Sequence, residues 1–172
     1  EVVVGEPKAL LIVEFAEDDR NENLKRIEKL ENMMSNLGYG WDKPDEWQGG
    51  VVRALDVQQQ ARVSEMRKSG LNIMMSMKQE AKPVSFVEDC AVDLEHLAEY
   101  TDKLTKIFQK YDTVGTWYAH ASVGCLHVRP VLSMKKTDDV EAMRAIAEEA
   151  FELVKQYGGS HSGEHGDGIL RS

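Results

Sequence analysis

Cysteine is scarce in this chain: Cys90 and Cys125 are the two in 172 residues, and they have no CxxC spacing. A disulfide scaffold is thereby excluded, and two small buried hydrophobes in a reducing compartment are expected instead. Basic charge is in deficit, with 21 Lys and Arg against 30 Asp and Glu and a net charge of -9. A surface that tracks phosphates needs clustered cations, so this balance argues against a nucleic-acid partner. Long apolar runs are missing as well. Ala9-Leu10-Leu11-Ile12-Val13 is broken at once by Glu14, so it reads as a strand and not as a membrane span or a signal-peptide core. No internal repeat or low-complexity tract stands out.

What remains is enough for one domain over residues 1–172, since 42% hydrophobic content supports one sizeable core. A charged fraction of 30% fits an ordinary soluble protein better than a disordered one. The chain opens at Glu1 without an initiator Met and stops at Ser172, just past a histidine-rich motif, as expected of a piece of a larger protein.

The pattern predicts a buried strand over Ala9–Ala16. A helix should follow, because Leu24, Ile27, Leu30, Met34 and Leu37 recur at helical spacing, with Gly38 as its stop. Residues 38–50, with Trp41 and Trp47, read as a long loop, either functional or a surface loop with its Trp rings pinned to the core. A short strand is expected over Val51–Val57 and a helix over Gln58–Lys68 that ends at Ser69-Gly70. Leu71–Met77 reads as strand or irregular, and Pro83–Val87 as strand. An amphipathic helix capped by Asp93 should bury Leu94, Leu97, Leu104, Ile107, Phe108 and Tyr111. Two strands, Gly115–Ala121 and Cys125–Leu132, come next. The last helix should start at Asp138 with Glu141 as capping-box partner, and run through Val140, Ile146, Ala150, Leu153 and Val154 to Gly158-Gly159. The order indicates an α+β fold, a ferredoxin-like antiparallel sheet with helices packed on one face.

Four of the five histidines fall in the last third of the chain, in Tyr118–His127 and Ser160–Gly168. If the chain reverses at Val123-Gly124, with Gly124 at positive φ, His120 stands opposite His127. Directly opposed Cβ atoms lie about 5 Å apart. Two imidazoles so placed can converge on a metal ion, or simply stack on a sheet face with satisfied hydrogen bonds. In Gly163-Glu164-His165-Gly166-Asp167-Gly168, Glu164 could complete a His₂-carboxylate set, and the glycines permit close approach of a ligand. The same run could be a turn with an exposed Glu-His pair. HExxH spacing is absent, so a thermolysin-type hydrolase lacks its helix signature. Arg67, Lys82 and Arg129 lie at edges of expected elements, and Arg129 shares a sheet face with His127. A cation there could hold a carboxylate, bidentately in the case of Arg.

The chain resembles the C-terminal domain of FAD-linked oxidases of the vanillyl-alcohol oxidase type, in the branch of D-lactate dehydrogenase, glycolate oxidase and D-2-hydroxyglutarate dehydrogenase. Two blocks carry the resemblance, His120-Ala-Ser-Val-Gly-Cys-Leu-His127 and Gly158-Gly-Ser-His-Ser-Gly-Glu-His-Gly166, with one helix between them. The stretches Arg67–Gly70, Ala81–Pro83 and Phe86–Asp89 are similar too, especially to large forms that carry iron–sulfur modules elsewhere. Ser122 replaces the family's first hairpin Gly, Cys125 replaces its Asn, and Arg129 stands where several relatives have a polar amide. The resemblance implies that His120, His127 and Glu164 ligate a divalent metal, Zn or Mn. It implies that His165 is the base, that Arg67 and Lys82 hold substrate carboxylates, and that Arg129 could favour a second carboxylate. His161 is left as a bystander. It further implies FAD bound mainly by another domain of the same polypeptide, a 2-hydroxy acid substrate and a separate electron acceptor. The parent would be cytoplasmic or peripheral to the inner membrane, and residues 1–172 alone inactive. A non-catalytic ferredoxin-like binding module and a His₂Glu metal-dependent hydrolase are the competing readings.

Overall fold

The computed structural model describes residues 3–41, 49–76 and 79–166, with the backbone alone for 71–75. It divides into two compact units, Glu1–Ser69 and Gly70–Ser172. Among the described residues no helix is long and apolar enough to cross a membrane.

The first unit contains α1 (Arg20–Asn36) and the start of α2 (Val57–Met75). Asp19 caps α1, its carboxylate accepting the Asn21 N–H at 2.8 Å. Gly38 follows the helix at φ 94, as expected of its stop. The strands expected over residues 9–16 and 51–57 do not form, and Leu10 to Val13 are exposed. A strand needs a partner for its backbone groups, and the first unit offers none among the described residues. Arg53 pairs with Glu31, and the Trp41 indole donates to the Val51 carbonyl at 3.1 Å. Trp47, the other expected loop aromatic, lies outside the described residues. The helix expected to stop at Ser69-Gly70 continues to Met75, so Leu71–Met75 is helical and not strand. Met77 lies outside the described residues.

The second unit holds the α+β fold. Its strands are β1 (Lys82–Pro83), β2 (Cys90–Ala91), β3 (Gly115–His120) and β4 (Cys125–Leu132), and its helices are α3 (Leu97–Lys110) and α4 (Thr137–Gln156). β4 is central. β3 pairs with it on one side, and β1 and β2 pair with it on the other, all antiparallel. β1 and β2 are thus two pieces of one edge strand, interrupted over residues 84–89. The Pro83–Val87 strand therefore shrinks to Lys82–Pro83 and one further bond, from the Val84 N–H to the Pro130 carbonyl at 2.8 Å. Beyond β2, Ala91 exchanges two backbone hydrogen bonds with Ser160, at 2.8 and 2.9 Å. The layout is therefore Ser160, β2, β4, β3, the antiparallel order of a ferredoxin-like βαββαβ unit.

One face of the sheet is covered by helices. α3 contributes Tyr100, Leu104 and Phe108 at four-residue intervals, and α4 contributes Ile146, Ala150, Leu153 and Val154. They pack on Val87, Cys90, Val92, Leu126 and Val128. A buried side chain of this size contributes about 1.5–3 kcal/mol. Leu94 and Val140, expected on buried faces, are exposed. A 3₁₀ turn over Leu94–His96 precedes α3, and the Asp93 side chain makes no capping bond. Nor does the Asp138–Glu141 capping box form. α4 begins one residue earlier, after Lys136, and the Asp139 carboxylate accepts the Ser133 N–H at 2.6 Å.

Candidate active site

Side chains alternate across a strand, so Leu126 and Val128 in the core leave Cys125, His127 and Arg129 on the opposite face of β4. His127 stands opposite Tyr118, and His120 stands opposite Cys125. The expected pairing of His120 with His127 is therefore corrected. Residues Ala121–Val123 form a 3₁₀ turn that closes on Gly124, so the partner of His120 lies two residues earlier on β4 than a two-residue turn at Val123-Gly124 would place it. Gly124 does take positive φ, at 70, and an added Cβ would lie 1.9 Å from the Val92 carbonyl oxygen. A shift of two keeps every side chain on its face, whereas a shift of one would not. The two histidines thus still meet, with ring centroids 5.1 Å apart and edge to face. Tyr118 lies against both, at 5.4 and 5.8 Å.

Glu164 faces this pair. Its Oε2 lies 3.2 Å from His127 Nε2 and 3.7 Å from His120 Nε2. Donors bound to one tetrahedral ion at about 2.0–2.2 Å stand roughly 3.3–3.6 Å apart, and both contacts to Glu164 lie close to that spacing. His127 Nδ1 lies 2.8 Å from the Glu88 carbonyl oxygen, which makes Nδ1 the donor there and leaves Nε2 facing Glu164. The His165 ring stacks on His127 at 4.9 Å.

The loop that delivers Glu164 and His165 is held by Asp89. Its carboxylate accepts the His165 N–H at 2.7 Å, the Glu164 N–H at 3.1 Å and the Ser162 hydroxyl at 3.1 Å, and its carbonyl accepts the Gly163 N–H at 2.7 Å. Burial pushes the Asp89 pKa up. The His165 and Glu164 amides, the Ser162 hydroxyl and the nearby His165 ring outweigh it and hold the carboxyl below its ordinary range. Asp89, His127, Glu164 and His165 also offer four ligand atoms within 4.8 Å of one another. Those three donors, and the Cys125 thiol at 3.6 Å from Oδ1, already occupy the Asp89 oxygens, which favours an anchoring role over ligation.

The other cations are placed differently. Arg129 gives its Nε and Nη2 to Glu88 Oε2, at 2.8 and 2.7 Å, and that carboxylate is buried. Lys82 stands opposite Leu132, five residues along β4 from His127, or about 17 Å of strand. Arg67 belongs to the first unit, on α2. His161 packs on Phe151 at 5.3 Å. Both cysteines are free and buried, as the sequence led us to expect. Glu88 and Asp89 carry the site's hydrogen bonding, and sequence reasoning assigned them no role. Their signal was two adjacent carboxylates inside the otherwise apolar run Phe86–Val92.

Fold and site together define an α+β domain that buries one face of its sheet under helices and keeps a histidine- and carboxylate-rich site on the other. The chain belongs to the family of FAD linked oxidases, C-terminal domain, which it matches over residues 4–172. It is 34% identical over 163 residues to a D-2-hydroxyglutarate dehydrogenase of Pantoea ananatis, covering 93% of this chain and 15% of the relative. Identity is 32% over 167 residues to a D-2-hydroxyglutarate dehydrogenase of Escherichia coli, with the same two shares, 93% and 15%. It is 28% over 110 residues to glycolate oxidase subunit GlcD of Bacillus subtilis, covering 64% of this chain and 23% of the relative. The chain thus spans about 15% of the length of the dehydrogenases it matches.

Proposed function

We propose that this chain is the substrate- and metal-binding part of a flavin-dependent dehydrogenase that oxidises a D-2-hydroxy acid, of the lactate, glycolate or 2-hydroxyglutarate type, to the 2-oxo acid. The observation that carries this reading is the convergence of His120, His127 and Glu164, with His165 beside them, in a chain of the FAD linked oxidase family. His120 Nε2, His127 Nε2 and the Glu164 carboxylate would hold a divalent metal, Zn or Mn. The metal and FAD, when bound, would supply Lewis acidity toward the substrate hydroxyl and an acceptor for the Cα hydride. FAD would be held mainly by a domain outside residues 1–172, and iron–sulfur modules and the electron acceptor would lie elsewhere.

His165 takes the hydroxyl proton at Nε2, because its Nδ1 faces the Glu88 and Asp89 carboxylates at 3.5 and 3.9 Å. Imidazole suits the step, since its unperturbed pKa lies near working pH. Asp89 keeps the base and the third ligand in register with the hairpin. Arg129, fixed along one edge by Glu88, has three N–H donors beyond the two given to that carboxylate, enough for a substrate carboxylate. Arg67 and Lys82 are assigned to substrate carboxylates on the family resemblance.

The full-length polypeptide should be yellow, and its flavin should bleach anaerobically on adding D-2-hydroxyglutarate, D-lactate or glycolate. In it, His120→Ala should lower both bound divalent metal and turnover. A colourless protein, or one indifferent to all three acids, sinks the reading, and unchanged metal content in the variant refutes the ligand set.

A further inference from the structure

Glu88 makes contacts with three site residues at once. Its carbonyl oxygen lies 2.8 Å from His127 Nδ1. Its Oε2 accepts Arg129 Nε and Nη2 at 2.8 and 2.7 Å. Its Oε1 lies 3.5 Å from His165 Nδ1. The residue is 3% exposed, and it sits where the edge strand breaks between β1 and β2.

The position follows from that break. Within a continuous edge strand, the backbone groups of residue 88 would be engaged by the ladder with β4 and its side chain would alternate across the sheet. With the ladder interrupted over 84–89, the carbonyl turns to an imidazole instead. The carboxylate enters the layer between Arg129 and His165. A buried carboxylate is costly unless paired and hydrogen-bonded, and Arg129 meets that requirement with a two-donor contact. Arg129 therefore fixes the carboxylate in place, and its second oxygen is directed at His165.

Resting on the functional reading above, we propose that Glu88 is the positioning residue of the base. It holds the His165 ring with Nδ1 toward its own carboxylate, which leaves Nε2 as the nitrogen turned away from Glu88 and Asp89. At 3.5 Å the contact is at ion-pair distance, a span over which a carboxylate fixed by Arg129 can orient the ring. Asp89, at 3.9 Å from the same nitrogen, is committed to the loop amides. The Glu88 carboxylate is not a metal ligand in this scheme, and that separates its effect from loss of the metal.

The test uses the full-length flavoprotein, with flavin reduction by a D-2-hydroxy acid followed in single turnover and metal measured on the same samples. Glu88→Gln should slow flavin reduction about ten- to a hundredfold, with KM within about threefold and metal content unchanged. Glu88→Asp, which restores the charge, should recover part of the loss. An undiminished rate in Glu88→Gln overturns the proposal, and so does a fall in metal that accounts for the whole fall in rate. Should Glu88→Gln fail to accumulate because Arg129 is left unpaired, Glu88→Gln/Arg129→Gln is compared with Arg129→Gln. A further drop of about tenfold supports the role, and equal rates overturn it. If the unsubstituted protein reduces no flavin with any such acid, the functional reading fails; if it does and the Glu88 variants match it, this inference alone fails.

Discussion

The Asp89 carboxylate accepts the backbone N–H of His165 at 2.7 Å, across 76 residues of chain. It ties the loop after α4 to the break in the edge strand, and so fixes where Glu164 and His165 stand relative to the hairpin. Asp89→Ala would strand the Glu164 and His165 amides and the Ser162 hydroxyl, three donors in a half-buried place. The expected cost is about 2–3 kcal/mol in urea denaturation, with a parallel fall in divalent metal bound. Wild-type stability and metal content in this variant would remove Asp89 from the site's support.

Gly124 is constrained twice, by φ 70 and by the Val92 carbonyl that an added Cβ would meet at 1.9 Å. Gly124→Ala should therefore cost several times more stability than Gly158→Ala, where φ is 63 and nothing lies within 4 Å of the added carbon. About 3 kcal/mol or more against about 1 kcal/mol is expected from denaturation midpoints. Equal costs would mean that the close approach to Val92 does not matter.

Burial, followed by the Glu164 and Asp89 charges, the contact with Asp89 and Cys90, pushes the Cys125 thiol up to about 12. At pH 8 only about one thiol in ten thousand is then thiolate, so the native protein should resist iodoacetamide. Mass spectrometry should show no adduct at Cys125 until denaturant is added. Rapid native alkylation of this cysteine would contradict the burial.

Glu149 joins α4 to α3 by accepting from Lys110 Nζ at 2.6 Å and from the Tyr111 hydroxyl. These two bonds outweigh burial and hold its carboxyl below the ordinary value of 4.5. A depressed pKa stabilises the fold above the unfolded value and loses that contribution as pH falls through the folded value. Glu149→Gln should thus be slightly less stable than wild type at pH 7. Lys110 is exposed and Glu149 partly so, and the gap should be under about 1 kcal/mol. It should close as the melting temperature is followed below pH 4.5. A gap that persists at low pH would show that charge is not its source.

The second unit was largely legible in the sequence, and the first was not. Helical spacing in Leu104, Phe108, Ile146, Ala150 and Val154 reports a buried stripe directly, and that stripe is in the core. Alternation along Cys125–Leu132 placed His127 and Arg129 on one face. The run Leu10–Val13 carries the same apolar signal, yet a strand also needs a partner, which local composition does not report. The hairpin register escaped for a related reason. A 3₁₀ turn over Ala121–Val123 and a two-residue turn look alike in sequence, but the parity of the shift preserved the histidine pair. Glu88 and Asp89 escaped because their roles arise from an interrupted ladder, and two adjacent carboxylates in Phe86–Val92 mark a polar spot without saying that the ladder breaks there.

The alternation of β4 also bears on how such a domain can change over generations. Leu126 and Val128 answer to the helices, while Cys125 and Arg129 answer to whatever occupies the other side. Change on the site face therefore need not disturb the packing against α3 and α4, although a change at Arg129 must also answer for buried Glu88. A lineage can revise positions on the site face in concert, Arg129 with Glu88, without renegotiating its core.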